Sequence, residues 1–234
     1  MNLLTLPLAV EAPHTFWQIV FSGGPVGITI MILLILVSVA AVALMVEHAI
    51  SIRAAVLLPA GLSEKVRRSL LAGQVDPARD ECRKQPSFLA YVLEAGLSEV
   101  DGGWAAIEKA VEDALAEHAA RLFRKVEYLA VISNVGPMLG LLGTVTGLIM
   151  AFMQVAATEG AARPAELAEG IYSALVTTVA GLMIAIPSVG ALAVFRNRID
   201  ELVAEAAYAA QHALAPLKRL RRAPAPPPVS EATP

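Results

Sequence analysis

The sequence predicts an all-α membrane protein with three transmembrane helices and long cytoplasmic helical extensions. Hydrophobic residues make up 56% of the 234 residues and charged residues only 17%, so a soluble globular enzyme is not expected. The charges are also unevenly placed, because residues 12–46, 128–158 and 170–195 contain no Asp, Glu, Lys or Arg. A helix needs about 20 apolar residues to cross the hydrocarbon layer, so each stretch is long enough to span it.

We predict transmembrane helices at residues 25–46, 128–158 and 170–195. The first is almost purely Leu, Ile, Val and Met, as is typical of a lipid-facing anchor. No Lys or Arg precedes Pro25, so the positive region of a secretion signal is missing and the first helix is interpreted as a retained anchor. Residues 1–24 are expected to form an interfacial segment.

The distribution of basic residues predicts the orientation in the membrane. Residues 48–127 carry eleven Lys and Arg and residues 196–234 carry six, whereas residues 1–24 carry none and residues 159–169 carry only Arg163. Basic residues near the ends of a span resist translocation. The N-terminus is therefore predicted outside and the C-terminus in the cytoplasm, with residues 159–169 forming a short outer loop.

The segment 47–127 is predicted to be a cytoplasmic helical domain. Breaks between short helices are expected where Pro, Gly and polar residues cluster, at residues 59–61, 74–77, 85–86 and 101–103. From Trp104 onward, apolar residues recur at three- and four-residue steps with no breaker before Gly136. One long helix is therefore expected to continue from Trp104 through the second span.

The third span is expected to continue below the membrane as well, as a cytoplasmic helix over residues 196–217. Residues 218–234 combine a basic cluster with a proline-rich run, a composition that cannot pack a core. This segment is predicted to be a disordered tail.

Spans two and three carry stripes of small residues that predict close helix packing. In span two the glycines are spaced by four, three and four residues, which places them on one side of a helix. Span three repeats the pattern, and its proline removes one backbone hydrogen bond. The predicted packing residues are Gly136, Gly140, Gly143, Gly147, Gly170, Gly181 and Pro187.

Hydroxyl groups lie beside these stripes. Thr144 and Thr178 are each about 80° round the helix from the centre of their own stripe, and Thr177 lies within the stripe of span three. No Asp, Glu, Lys, Arg or His occurs in any predicted span. A proton carrier must titrate, and hydroxyls do not do so near neutral pH. The chain therefore cannot be a complete proton relay unless a partner brings a carboxylate.

Other classes of site are not supported. The net charge of −3 argues against a nucleic-acid partner, which needs a basic face. The four histidines form no metal-binding pair at helical spacing, and the single cysteine, Cys82, excludes both an intrachain disulfide and a paired-cysteine metal site. We expect no metal and no cofactor.

Two segments resemble a known family. Gly136 to Gly147, GPMLGLLGTVTG, is similar to the second-span signature of the ExbB/TolQ/MotA proton-channel family, and Gly170 to Pro187, GIYSALVTTVAGLMIAIP, is similar to its third-span signature. Three spans favour ExbB or TolQ over the four-span MotA. Thr146 stands where many TolQ and some ExbB sequences have Trp, so the chain most resembles ExbB or an ExbB-like paralogue.

The resemblance implies a ring of identical subunits, a pentamer in the family, in a bacterial inner membrane with the N-terminus in the periplasm. The ring surrounds single-span partners of the ExbD/TolR type, each with a membrane Asp that accepts the proton. By similarity Thr144 and Thr178 are proton-pathway residues that face that Asp, and Thr177 is a further proton-pathway residue. The chain is then not an enzyme.

The resemblance further implies that proton flow drives a TonB- or TolA-type protein, which energises outer-membrane processes such as TonB-dependent transport. Two alternatives stay open at this point. The chain could be a TolQ-type subunit of the Tol system, or a non-conducting oligomeric membrane scaffold that uses its small-residue stripes only for assembly.

Overall fold

A computed structural model describes residues 24–159 and 163–220, and this part of the chain is helical throughout, without a strand. The helices are α1 (Gly24–Ser51), α2 (Ala54–Leu57), α3 (Leu62–Leu71), α4 (Val75–Lys84), α5 (Phe88–Ser98), a short 3-10 helix (Val100–Gly102), α6 (Trp104–Ala157) and α7 (Pro164–Leu220). The predicted all-α class is confirmed.

Three helices are long and apolar enough to cross a membrane, as the charge-free stretches predict. They lie at Pro25–Ser51, Trp104–Ala157 and Leu167–Lys218, and their most apolar windows have mean hydropathies of 3.0, 1.8 and 2.1. α6 begins at Trp104, where the apolar periodicity begins, and α7 also extends well past its apolar stretch.

The chain divides into two compact units. The first contains residues 24–44 and Leu129–Gly190, which are the apolar parts of α1, α6 and α7. On α1, Ile30, Leu34 and Ala41 are buried, while its other faces are exposed and apolar. The contact between α6 and α7 is described with the site below.

The second unit contains Met45–Tyr128 together with residues 191–220. Here the short helices α3, α4 and α5 pack on the polar parts of α6 and α7 around a core that includes Val66, Leu93, Ile107 and Leu214. The Ser87 hydroxyl caps α5 by accepting a hydrogen bond from the Ala90 N–H at 3.2 Å. This unit contains residues 47–127, predicted as a helical domain, together with the predicted helix 196–217.

The breaks between the short helices follow the predicted pattern with one shift. Pro77 lies inside the first turn of α4, which begins at Val75, rather than in the preceding break. A proline is tolerated there because the first-turn N–H groups have no helical acceptor. The break instead covers residues 72–74, where Gly73 adopts a left-handed conformation with φ +72°.

α7 continues to Leu220, three residues into the segment predicted as a tail. The helix passes through Pro216, which is buried, and the Lys218 ammonium lies 5.1 Å from the centre of the Trp104 ring at the start of α6. This cation–π contact gives the helix end a packing partner. The predicted interfacial segment up to residue 23 and the tail from residue 221 lie outside the described residues, as do residues 160–162 of the outer loop.

Candidate functional site

α6 and α7 approach each other along a line of residues with small side chains, which we call the seam. It consists of Gly136, Gly140, Gly143 and Gly147 on α6 and of Gly170, Ala174, Thr177 and Gly181 on α7. The contacts run antiparallel, since Gly136 lies beside Gly181 at one end and Gly147 lies beside Ala174 at the other.

The two backbones are so close along the seam that side chains would not fit. A Cβ atom built on Gly181 would lie 2.5 Å from the Gly136 carbonyl oxygen, and one built on Gly140 would lie 3.0 Å from the Thr178 Cα. Both distances are shorter than an ordinary carbon contact. The structure thus brings the predicted packing glycines together, whereas Pro187 lies on an exposed position of α7.

Thr177 lies inside the seam, where it is 5% exposed. Its hydroxyl donates to the Ala174 carbonyl at 2.7 Å and lies 3.4 Å from the Gly140 carbonyl. Its side chain fills the space opposite Gly143, where an added Cβ would come within 2.6 Å of the Thr177 Cβ. Of the three predicted proton-pathway residues, Thr177 is therefore the one enclosed between the helices.

Thr144 and Thr178 lie at the edge of the seam and are half-buried. The Thr144 hydroxyl donates to the Leu141 carbonyl at 2.8 Å within α6. The Thr178 hydroxyl crosses to the other helix and donates to the Gly140 carbonyl at 3.0 Å. A hydroxyl in an apolar environment satisfies itself in one of these two ways.

The two hydroxyls lie on the same side of the seam. Each is rotated in the same sense from the centre of its own stripe, at about 100° per residue, and for antiparallel helices the same sense on both leads to the same side. The same arithmetic places Thr146 and Ser173 on the opposite side. We call the side with Thr144 and Thr178 the hydroxyl flank.

The hydroxyl flank is apolar around its two polar groups, and the described residues leave it uncovered. Its neighbouring side chains Leu141, Leu175 and Leu182 are 62%, 57% and 44% exposed. The stretches 129–158 and 170–190 contain no Asp, Glu, Lys, Arg or His. This surface can offer hydrogen bonds to a polar group inside an apolar setting, but it cannot itself carry a proton near neutral pH.

No metal centre is present in the described ranges, because no three His, Cys, Asp or Glu side chains come together there.

Sequence reasoning missed the role of His48. This residue follows the first apolar stretch after one intervening Glu and is 2% exposed in the second unit. Its Nε2 atom lies 3.1 Å from the Lys125 carbonyl oxygen, and its ring meets the Phe195 ring edge-on at 5.7 Å. His48 therefore ties α1 to both α6 and α7. A polar residue directly after an apolar span was the only available signal.

Comparisons with known proteins identify relatives of this chain. A model of the MotA/TolQ/ExbB proton channel family matches residues 84–207, which is more than half of the chain and includes the whole seam.

Among curated proteins, biopolymer transport protein exbB1 of Vibrio cholerae is 54% identical over 61 residues, which are 26% of this chain and 27% of that protein. An ExbB homologue of Methanothermobacter thermautotrophicus is 38% identical over 95 residues, 41% of this chain and 33% of that protein. Tol-Pal system protein TolQ of Pseudomonas aeruginosa is 33% identical over 97 residues, 42% of each chain. The matches thus cover less than half of these relatives.

Proposed function

Because the chain belongs to the MotA/TolQ/ExbB proton channel family, we propose that it is a non-enzymatic subunit of a bacterial inner-membrane complex in which proton flow drives mechanical work. The complex contains several copies of this chain, five by family resemblance, and a single-span ExbD/TolR-type partner with a membrane Asp. The N-terminus lies in the periplasm and the C-terminus in the cytoplasm, in accord with the distribution of basic residues.

One observation carries this proposal: the hydroxyl flank. It presents two hydroxyls on one side of a tightly packed helix pair and lies in a stretch without Asp, Glu, Lys, Arg or His. Within a membrane-spanning stretch, isolated polar side chains mark an interface or a pathway rather than a lipid-facing surface. Since neither hydroxyl titrates near neutral pH, the carrier of the proton must come from another chain.

Within the family, an ExbB-type role linked to TonB-dependent transport is the first candidate, supported by Thr146 and by the ExbB-named relatives. The TolQ relative supports a second candidate, a subunit of a Tol-type system. Complementation distinguishes them, because an ExbB-type subunit restores siderophore uptake in a strain without its own ExbB, whereas a TolQ-type subunit restores detergent resistance in a strain without TolQ.

Reconstitution tests the proposal directly. This chain is co-produced with the single-span, Asp-containing proteins encoded in the same genome, purified by a tag on this chain, and placed in liposomes with an imposed pH gradient. We expect the complex to admit protons when the single-span partner is present and this chain alone to admit none. Native mass spectrometry of the same sample counts the subunits.

Variants locate the pathway. Thr144→Val and Thr178→Val keep the side-chain volume and lose the hydroxyl, so we expect assembled complexes with most of the proton flux lost. Thr146→Val, on the opposite side of the seam, is the matched control and should conduct normally. Proton entry through this chain alone would contradict the proposal, and a stable complex that never conducts would favour the scaffold alternative.

A further inference from the structure

The protons of the two flank hydroxyls are already used. A threonine hydroxyl has one proton to donate and two lone pairs to accept with. Thr144 donates its proton to the Leu141 carbonyl and Thr178 donates its proton to the Gly140 carbonyl. Toward the hydroxyl flank, both residues therefore present lone pairs only.

The two hydrogen bonds differ in how easily they break. If Thr144 turns outward, the Leu141 carbonyl keeps its helical donor, the N–H four residues later. If Thr178 turns outward, a bond between two helices is lost, and its acceptor Gly140 lies where the backbones nearly touch. Thr178 is therefore the more firmly held acceptor.

We propose that the hydroxyl flank binds a neutral carboxylic acid group through its O–H in preference to the carboxylate. This inference rests on the proposed function, because the acid belongs to the single-span partner, and it specifies the protonation state that this chain recognises. The acid O–H donates to a lone pair of Thr144 or Thr178. When the acid passes its proton to water, the resulting carboxylate finds the Thr178 proton committed to Gly140 and the Thr144 proton bonded to Leu141, so it is held less well than the neutral acid.

The absence of charged side chains near the flank also favours binding of the neutral acid. No cation lies in the stretches 129–158 and 170–190 to offset a carboxylate, and Tyr172 is the titratable side chain nearest in sequence on α7. A carboxylate in an apolar setting needs donors or a cation, whereas a neutral acid needs one acceptor. The flank supplies acceptors.

The first test uses this chain alone. Infrared spectra of protein labelled with carbonyl-¹³C glycine report on the Gly140 carbonyl, which absorbs at lower frequency while it accepts a hydrogen bond. We expect Thr178→Val to move one glycine band to higher frequency and Thr178→Ser to leave it in place. Thr29→Val is the control, because the Thr29 hydroxyl donates to the Pro25 carbonyl. An unchanged band in Thr178→Val would overturn the proposal.

The second test uses the complex with the partner labelled at its aspartate carboxyl carbon, and follows the infrared band of the protonated acid as the pH changes. Without the acceptor the neutral acid is less favoured, so the midpoint falls by about half to one pH unit in Thr144→Val and Thr178→Val. Thr144→Ser and Thr146→Val should titrate as the unmodified complex does. A rise in the midpoint, or no change, would overturn the proposal, since donors to a carboxylate act in the opposite direction.

The two tests separate the claims. If no single-span partner co-purifies, the proposed function fails. The glycine spectra still decide whether the Thr178 hydroxyl donates its proton to the Gly140 carbonyl. If the complex conducts but the midpoint rises in the variants, the proposed function stands and the polarity is wrong.

Discussion

The imidazole of His48 on α1 lies 3.1 Å, through Nε2, from the backbone carbonyl oxygen of Lys125 on α6. A carbonyl only accepts, so Nε2 is the donor and carries the proton. Two helices far apart in sequence are thereby joined by one buried side chain, and replacing it should loosen the second unit.

His48→Ala should lower the free energy of unfolding by about 2 kcal/mol, since it removes a buried ring and a hydrogen bond. His48→Gln keeps an N–H donor at a similar reach and should recover part of the loss. Trp104 fluorescence in detergent, measured in a Trp17→Phe background, reports on this unit because the chain has only two tryptophans. Equal stability of the Ala and Gln variants would show that the hydrogen bond contributes nothing.

Gly143 should not tolerate a side chain. A methyl group there overlaps the Thr177 side chain inside a rigid contact, so Gly143→Ala should destabilise the helix pair by about 1–3 kcal/mol. Gly190→Ala is the control, because no atom lies within 4 Å of its added Cβ. The stability of the two variants is compared by following the loss of the helical circular dichroism signal as SDS is added. Identical SDS midpoints for Gly143→Ala and Gly190→Ala would refute the close packing described for the seam.

His118 should make the second unit less stable in mild acid. Burial, with a contribution from Arg121, holds the pKa of His118 below its ordinary value of 6.5, although Glu117 opposes the shift. The ring packs against Tyr91 at 3.9 Å between centroids, and Nε2 is buried without a partner in the described residues.

The direction of the pH effect follows from linkage. The unfolded chain takes up the proton first as the pH falls, so stability is full above 6.5 and declines below it until the pH passes the folded pKa. His118→Phe keeps the packing and removes the titration, so its Trp104 unfolding midpoint should fall less in this range. An equal fall in both proteins would assign the acid sensitivity to other groups.

Cys82 should be unreactive while the second unit is folded. The side chain is 2% exposed, and burial, together with the nearby Glu94 and Glu81 carboxylates, raises its pKa to about 11. At pH 8 only about one thiol in a thousand is then ionised, and access is blocked as well. Maleimide should label Ser98→Cys in a Cys82→Ser background within minutes, and Cys82 only after denaturation. Fast native labelling of Cys82 would show that this unit opens readily.

The parts of the fold that depend on local periodicity could be predicted from the sequence. The charge-free stretches predict the long helices. The apolar periodicity that starts at Trp104 predicts where α6 begins, and the glycine spacing predicts which side of α6 meets α7. Each of these depends on 3.6 residues per turn and on the length of an apolar run.

What could not be predicted depends on how two helices are rotated against each other. Spacing places Thr178 beside its stripe but does not show that its hydroxyl crosses to Gly140. It does not show that His48 would be buried against Lys125, because these residues are 77 positions apart. The last turn of α7, residues 218–220, was likewise missed, because the contact between Lys218 and Trp104 does not show in the local composition.

The seam consists of glycines with one alanine and one threonine, so it has few rotamers to exchange. Interdigitating side chains can change from one packing arrangement to another. At Gly140 and Gly181 an added Cβ would lie only 2.5–3.0 Å from the backbone of the other helix, so the two helices have no alternative arrangement nearby. In the proposed complex, α6 and α7 should therefore act as a fixed wall that keeps one shape throughout. If the proposed function holds, any partner that turns or tilts moves against that wall.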